Sequence, residues 1–207
     1  MRVSIELGPK GDARVEPGDV VRVHEYGEGH LIVTADAAAY EFATCSPELS
    51  RAMLDSALEV LLKAPEQLAT LARVRAAFSA VRRVLESAEG LGVMTICVVS
   101  DRDVEVHWVG GDVVSVGEQG FTQPHTYRRE GAPSGSWPSK MLTSHLPRSE
   151  FESARLRRKP GQRVMVVCNE LVSRVDPADW SRVDALLAEG QRGDLEDSPF
   201  WFYVRVD

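Results

Sequence analysis

Isolated acidic residues recur where β-type segments give way to turns: Asp19, Asp36, Asp112, Glu170 and Asp197. Carboxylates that converge on one edge of a layered sheet could hold Mg2+ or Mn2+, hard cations that take oxygen ligands. The plainer alternative is that aspartate is common wherever strands stop, and spacing alone favours that alternative. Asp36 resists it most, because it interrupts an apolar strand and leads straight into Ala37-Ala38-Ala39. Other familiar chemistry is missing from the sequence. No GxxxxGK[ST] loop, no GxGxxG opening a helix and no GxSxG elbow occurs. His24, His30, His107, His125 and His145 never fall at metal spacing such as HxH or HExxH. Cys45, Cys97 and Cys168 are far apart and show no CxxC pattern. Cys97 and Cys168 lie inside apolar runs, where a thiol behaves as a small hydrophobe, whereas Cys45 precedes a helix start.

The elements that must position these residues fall into three zones. Arg2 to Leu7, Asp19 to His24 and His30 to Ala35 alternate as strands, with turns at Gly8 to Gly11 and Glu25 to Gly29. A helical zone follows. Ser46-Pro47 is an N-cap with proline at the first helical position, and Leu49, Met53, Leu54, Ala57, Leu58 and Leu61 repeat at helical spacing. A second helix is expected from Ala64-Pro65, with Leu68, Leu71, Phe78, Val81 and Leu85 on one face, most of its arginines on another, and Gly90 at its end. The last zone returns to β: Val93 to Val99, Asp103 to Val109 and Val113 to Val116 read as a meander. A loop-rich stretch runs from Glu118 to Gln162, and Arg163 to Cys168 is a buried strand. A short helix capped by Asp176-Pro177 runs to Leu187, and Pro199 to Val206 is a final strand. This order is not the alternation of a doubly wound sheet. It predicts an α+β sandwich of antiparallel sheets covered by helices.

Composition narrows the partners. The 207 residues carry 24 Lys and Arg against 31 Asp and Glu, a net charge of −7. Phosphate backbones and anionic membranes call for a basic surface, so neither nucleic acid nor membrane is expected as a partner. Hydrophobic residues make up 43% and charged residues 27%, as in soluble globular domains. No apolar run approaches a membrane span and no signal-peptide pattern opens the chain. The expectation is one cytoplasmic domain over residues 1–207.

Several strings, in order, resemble the metal-dependent protein phosphatases, the PPM or type 2C family. Arg158 to Cys168 followed by Leu171 is similar to the family's "pGD-r-lLLcSDGL" strand. Phe121 to Thr126 resembles "lT-x-DHs", Leu142 to Leu146 falls where "ltraLG" is expected, and Thr95 to Val116 with Gly111-Asp112 resembles the strands around "vGDSR". Asp197-Ser198-Pro199 stands at the terminal "DNxT", Arg14 to Asp19 resembles the "R-x-x-x-ED" opening, and Val33 to Ala37 resembles "vvaDG". The resemblance implies a four-layer α-β-β-α sandwich with a centre of up to two Mg2+ or Mn2+ ions. The activity it implies is hydrolysis of phosphoserine or phosphothreonine by water activated between the ions. By residue, it makes Asp36 the bridging carboxylate and Asp197 a ligand of one ion. Glu170, or Asn169 in its place, stands at the third-motif aspartate. Asp19 is an outer member of the centre, and Arg14 is the cation that grips phosphate. Ala37, next to Asp36, occupies another metal-binding position.

The departures from the pattern carry equal weight. Ala37 replaces the glycine after the bridging aspartate, Ala38-Ala39-Tyr40-Glu41 replaces the glycine-rich run, and Gly18 replaces a glutamate. Cys168-Asn169-Glu170-Leu171 is one residue short of the third motif. Two divalent ions held close repel strongly, so losing one carboxylate favours one ion or none. Two readings follow. One is a weakly active or inactive pseudophosphatase that works by binding a phosphoprotein or regulatory protein. The other is a working Mg- or Mn-dependent phosphatase, which the survival of Arg14, Asp19, Asp36 and Asp197 supports.

Overall fold

The computed structural model of the chain describes residues 1–8, 20–39, 44–63, 70–110, 113–116, 119–120, 126–127, 137–138, 141–143, 151–167 and 201–207. Its elements in order are β1 (Val3–Gly8), β2 (Val20–Tyr26), β3 (Gly29–Ala39), β4 (Thr44–Cys45), α1 (Pro47–Lys63), α2 (Thr70–Ala88), β5 (Gly90–Val99) and β6 (Asp103–Val109). Then come β7 (Val113–Val116), β8 (Gln119–Gly120), β9 (Thr126–Tyr127), β10 (Trp137–Pro138), β11 (Leu142–Thr143), β12 (Glu152–Arg157), β13 (Val164–Val167) and β14 (Trp201–Val206). One antiparallel sheet has the order β12-β6-β5-β3-β2, with β11 added to β5 and β4 to β3. The other has the order β1-β14-β13-β7-β8, and β9 and β10 form a separate short ribbon. The α+β sandwich expected from the sequence is the fold observed.

The side-chain period of two assigns each face of the larger sheet. On β3, Leu31, Val33, Ala35 and Ala37 pack with Met53, Leu54, Leu58, Phe78, Val81 and Leu85 of the two helices. Ile32 of the same strand turns the other way and joins Cys97, Val106, Val166 and Val204 in the core between the sheets. A strand covered on both faces must be apolar at nearly every position, which is why β3 and β5 read as continuous apolar runs. Trp108 is partly buried against the core between the sheets.

Local chemistry sets the helix ends. Ser46 caps α1, its Oγ accepting the Leu49 N–H at 3.3 Å. Glu48 in the first turn and Lys63 in the last complement the helix dipole. The apolar stripe of α1 is buried at Leu49, Met53, Leu54, Ala57, Leu58 and Leu61, each large side chain contributing about 1.5–3 kcal/mol. After Ala88 the chain reverses through Glu89, whose φ of 48° lies in the left-handed region that glycine usually fills at a helix C-terminus. Gly90 is already the first residue of β5. A Cβ there would lie 2.5 Å from Leu49 Cδ2, so that side chain would have to turn aside.

Two parts of the sequence reading change. β3 continues past Ala35 to Ala39, because β5 pairs with it as far as Ala39↔Gly90 and β4 adds Ala38↔Cys45. The stretch 118–162 is not all loop. Glu152–Arg157 is a strand paired along its length with β6, from Glu152↔Trp108 to Arg157↔Asp103. As an edge strand only half covered, it keeps polar residues on its open side, so Glu-Ser-Ala-Arg-Leu-Arg shows little hydrophobic signal. The described part of α2 starts at Thr70, and the expected start at Ala64-Pro65 lies outside the described residues, as does the expected helix over 176–187.

Candidate functional site

Asp36 sits on β3 opposite Val93 of β5. Alternation places it on the face of Ile32 and Thr34, toward the second sheet, and its Oδ1 is buried. Of the six positions singled out by sequence, Asp36 and Ala37 are described. Arg14, Asp19, Glu170 and Asp197 lie outside the described residues, as do Asp112 and Asn169.

The topology nevertheless fixes which strand ends share the Asp36 end of the sandwich. β2 begins at Val20, opposite Ala35, immediately after Asp19 in the chain. β6 ends at Val109, opposite Met94 and one register step from Val93. From Val109 to Val113, where β7 starts, the chain spans at most about 14 Å. Val113 pairs with Val167, the end of β13, and Val167 pairs with Tyr203 near the start of β14. β14 in turn starts at Trp201 opposite Gly8, the end of β1. The strand ends that lead to Arg14 and Glu170, and those that follow Asp19 and Asp197, therefore belong to one end of the fold.

Ala37 is held differently from a loop residue. Its side chain is 2% exposed among the helix-facing core. Its carbonyl accepts the Ser46 N–H at 2.7 Å, extending the β3–β4 ladder, and its N–H donates to Ser50 Oγ at 2.8 Å. Ser50 is fully buried on α1 and donates to the Ser46 carbonyl at 3.1 Å. The peptide that follows Asp36 is thus tied to the start of α1 through both of its neighbours. Gly92, opposite Ala37, is required by the same crowding: a Cβ there would lie 2.8 Å from the Asp36 carbonyl oxygen and from Met53 Sδ. Sequence reasoning did not single out Ser50 or Gly92. Ser50 carried a signal, a serine within the apolar stripe of an amphipathic helix.

The fit to a divalent ion divides between the two described positions. Asp36 offers a hard carboxylate oxygen of the kind Mg2+ and Mn2+ prefer. Ala37 has only its carbonyl to offer, and one lone pair of that oxygen already accepts the Ser46 N–H. Among the described residues no three His, Cys, Asp or Glu side chains come together as a metal centre needs. Among the described residues, Cys97 and His107 are not placed for nucleophilic or acid–base chemistry. Burial pushes the Cys97 thiol up to about 12, so it is no nucleophile. His107 faces the helices, its Nδ1 2.7 Å from Ser153 Oγ and its ring edge-on to Phe151, and desolvation lowers its pKa.

Comparison of the whole architecture with solved structures decides the fold. PppA, a regulatory component of T6SS in Pseudomonas aeruginosa, superposes with a TM-score of 0.72 at 15% identity, covering 99% of this chain and 96% of that one. The chain has the fold of the PPM-type serine/threonine phosphatases. The catalytic domain of the phosphatase PstP, solved with two manganese ions, gives 0.67 at 16% identity over 99% and 96% of the two chains; PstP from Mycobacterium tuberculosis gives 0.67 at 18% identity over 99% and 97%. The S. agalactiae serine/threonine phosphatase gives 0.72 at 13% identity over 99% of each. No protein-family model and no curated protein matches the chain by sequence. The likeness to these phosphatases is one of fold, at 13–18% sequence identity. Among the described residues no helix is long and apolar enough to cross a membrane.

Proposed function

We propose that this chain is a divergent PPM-type serine/threonine phosphatase-like domain, a weakly active or inactive pseudophosphatase that works by binding a phosphoprotein or regulatory protein. The observation that carries this reading is the state of the Ala37 peptide. The Ala37 carbonyl is already held by a 2.7 Å backbone hydrogen bond at the start of α1, so an ion there would share the oxygen through its second lone pair rather than have it to itself. The third motif adds to this, since its acid position falls to Glu170 or to the uncharged Asn169. The remaining donors are the carboxylates of Asp36, Asp19, Glu170 and Asp197, with Arg14 to hold a phosphate. When bound, Mg2+ or Mn2+ supplies Lewis-acid stabilisation of the phosphoryl group. This reduced set suits one ion or none better than two. A regulatory role is also in keeping with PppA, which is described as a regulatory component.

An active Mg- or Mn-dependent phosphatase is the second reading, favoured by the position of Asp36 on the face between the sheets at the end where the other strand ends gather. Calorimetry with Mn2+ and hydrolysis of p-nitrophenyl phosphate separate the two. The pseudophosphatase reading expects weak or absent Mn2+ binding and turnover near background. Tight binding of two Mn2+ ions, with turnover that Asp36→Asn abolishes, establishes the enzyme instead.

A further inference from the structure

The face of the larger sheet that looks toward the second sheet changes character along β3 and β5. Ile32 pairs with Cys97, both wholly buried and apolar in their contacts. The next pair on that face is Thr34 with Thr95, and the next is Asp36 with Val93. Thr34 and Thr95 are 1% and 0% exposed. Val21 lies opposite Thr34 and Trp108 opposite Thr95, so the row that holds the hydroxyls is otherwise bulky and apolar. Among the described residues neither Oγ1 has a hydrogen-bond partner. Two orphaned hydroxyls at one register position are not what a native core carries, because buried polar groups are almost always paired with protein or with ordered water.

We propose that Thr34 and Thr95 together hold one ordered water between the sheets, and that this water hydrogen-bonds the Asp36 carboxylate, making the two threonines positioning residues for it. A buried water usually makes about three hydrogen bonds. The threonines supply two, and among the described residues the nearest further polar group on that face is Asp36, one register step along. Residues two apart on a strand are separated by roughly 6.6 Å, a gap that a water bridges and a direct hydroxyl–carboxylate bond does not. The site belongs to the metal-free chain, so it stands or falls independently of whether the domain binds metal or hydrolyses phosphate.

The test uses the metal-free chain and the variants Thr34→Val, Thr95→Val, the double valine, and the two Thr→Ser variants. Thermal unfolding and the Asp36 side-chain 13C resonance, assigned with Asp36→Asn, are measured for each. Each valine is expected to lower the Tm by a few degrees and to move the Asp36 resonance. The double valine falls no further than the worse single variant, because the water is lost once, and both serines leave the Asp36 resonance in place, their Tm lowered only by the loss of one buried methyl. Valines that raise the Tm overturn the proposal, since the hydroxyls would then be unpaired. So does a double valine that recovers the wild-type Tm with the Asp36 resonance unmoved, which marks a direct Thr–Thr bond. Should the valines fail to fold, a high-resolution crystal structure of the wild type decides. A water within hydrogen-bond distance of both Oγ1 atoms and of Asp36 supports the site, and its absence refutes it.

Discussion

Replacing Ser50 with alanine tests how the backbone after Asp36 is held. Ser50 Oγ accepts the buried Ala37 N–H at 2.8 Å and donates to the Ser46 carbonyl at 3.1 Å. The carbonyl survives the change, because it still accepts the Ser50 N–H at 2.9 Å. The Ala37 N–H does not, and a buried donor left without a partner costs about 1–3 kcal/mol. Alanine returns up to about 0.5 kcal/mol through its better helix propensity. The net loss is about 0.5–2.5 kcal/mol, which for a chain of this size lowers the Tm by about 1–10 °C. Thermal and urea unfolding read it directly, with an unchanged urea m-value showing that stability alone moved. The two contributions have opposite signs, so the outcome is diagnostic. A Tm equal to or above wild type would mean that helix propensity dominates and that the Ser50–Ala37 bond does not anchor the strand.

Other changes follow from the same geometry. Gly92→Ala should destabilise by about 1–3 kcal/mol in urea unfolding, because its Cβ meets the Asp36 backbone oxygen at 2.8 Å and backbone cannot swing aside. Glu89→Gly should stabilise by about 0.5–1 kcal/mol, because φ 48° strains an L-residue by more than the added chain entropy of glycine takes back. Desolvation lowers the pKa of His107 in the folded state, so between that value and about 6.5 the unfolded chain binds more protons and stability rises with pH. Its contribution is intact above about pH 6.5 and is lost as the pH falls through the folded value. A urea midpoint series should show this slope, and His107→Gln should flatten it.

Much of the architecture was legible because its causes are local. The Ser46-Pro47 cap and the Leu49 to Leu61 stripe specify α1 from within a few turns of chain, and the structure places α1 at Pro47–Lys63. The apolar runs of β5 and β13 are equally plain, since strands covered on both faces leave no polar alternation to misread. Glu152–Arg157 was missed for the converse reason: it is a strand because β6 offers it an edge, and its own residues do not require it. Asp36 stood out in sequence as a lone acid in an apolar strand, and it lies on the face between the sheets. The hold on its neighbour was not legible, because Ser46 and Ser50 reach Ala37 only after the chain has turned back through β4.

The sequence by itself determined the periodicities, and with them two amphipathic helices, apolar central strands and an acid in the middle of one of them. It also determined which residue types were on hand for chemistry: carboxylates, an arginine, and alanines where glycines would leave a looser backbone. Tertiary structure decided what those residues are joined to. Which backbone donor the Ala37 carbonyl meets depends on where α1 starts in space. Whether Thr34 meets Thr95 depends on the register of β3 against β5. Hydrogen-bond partners are set by distances between segments remote in sequence, and no pattern within one segment encodes them.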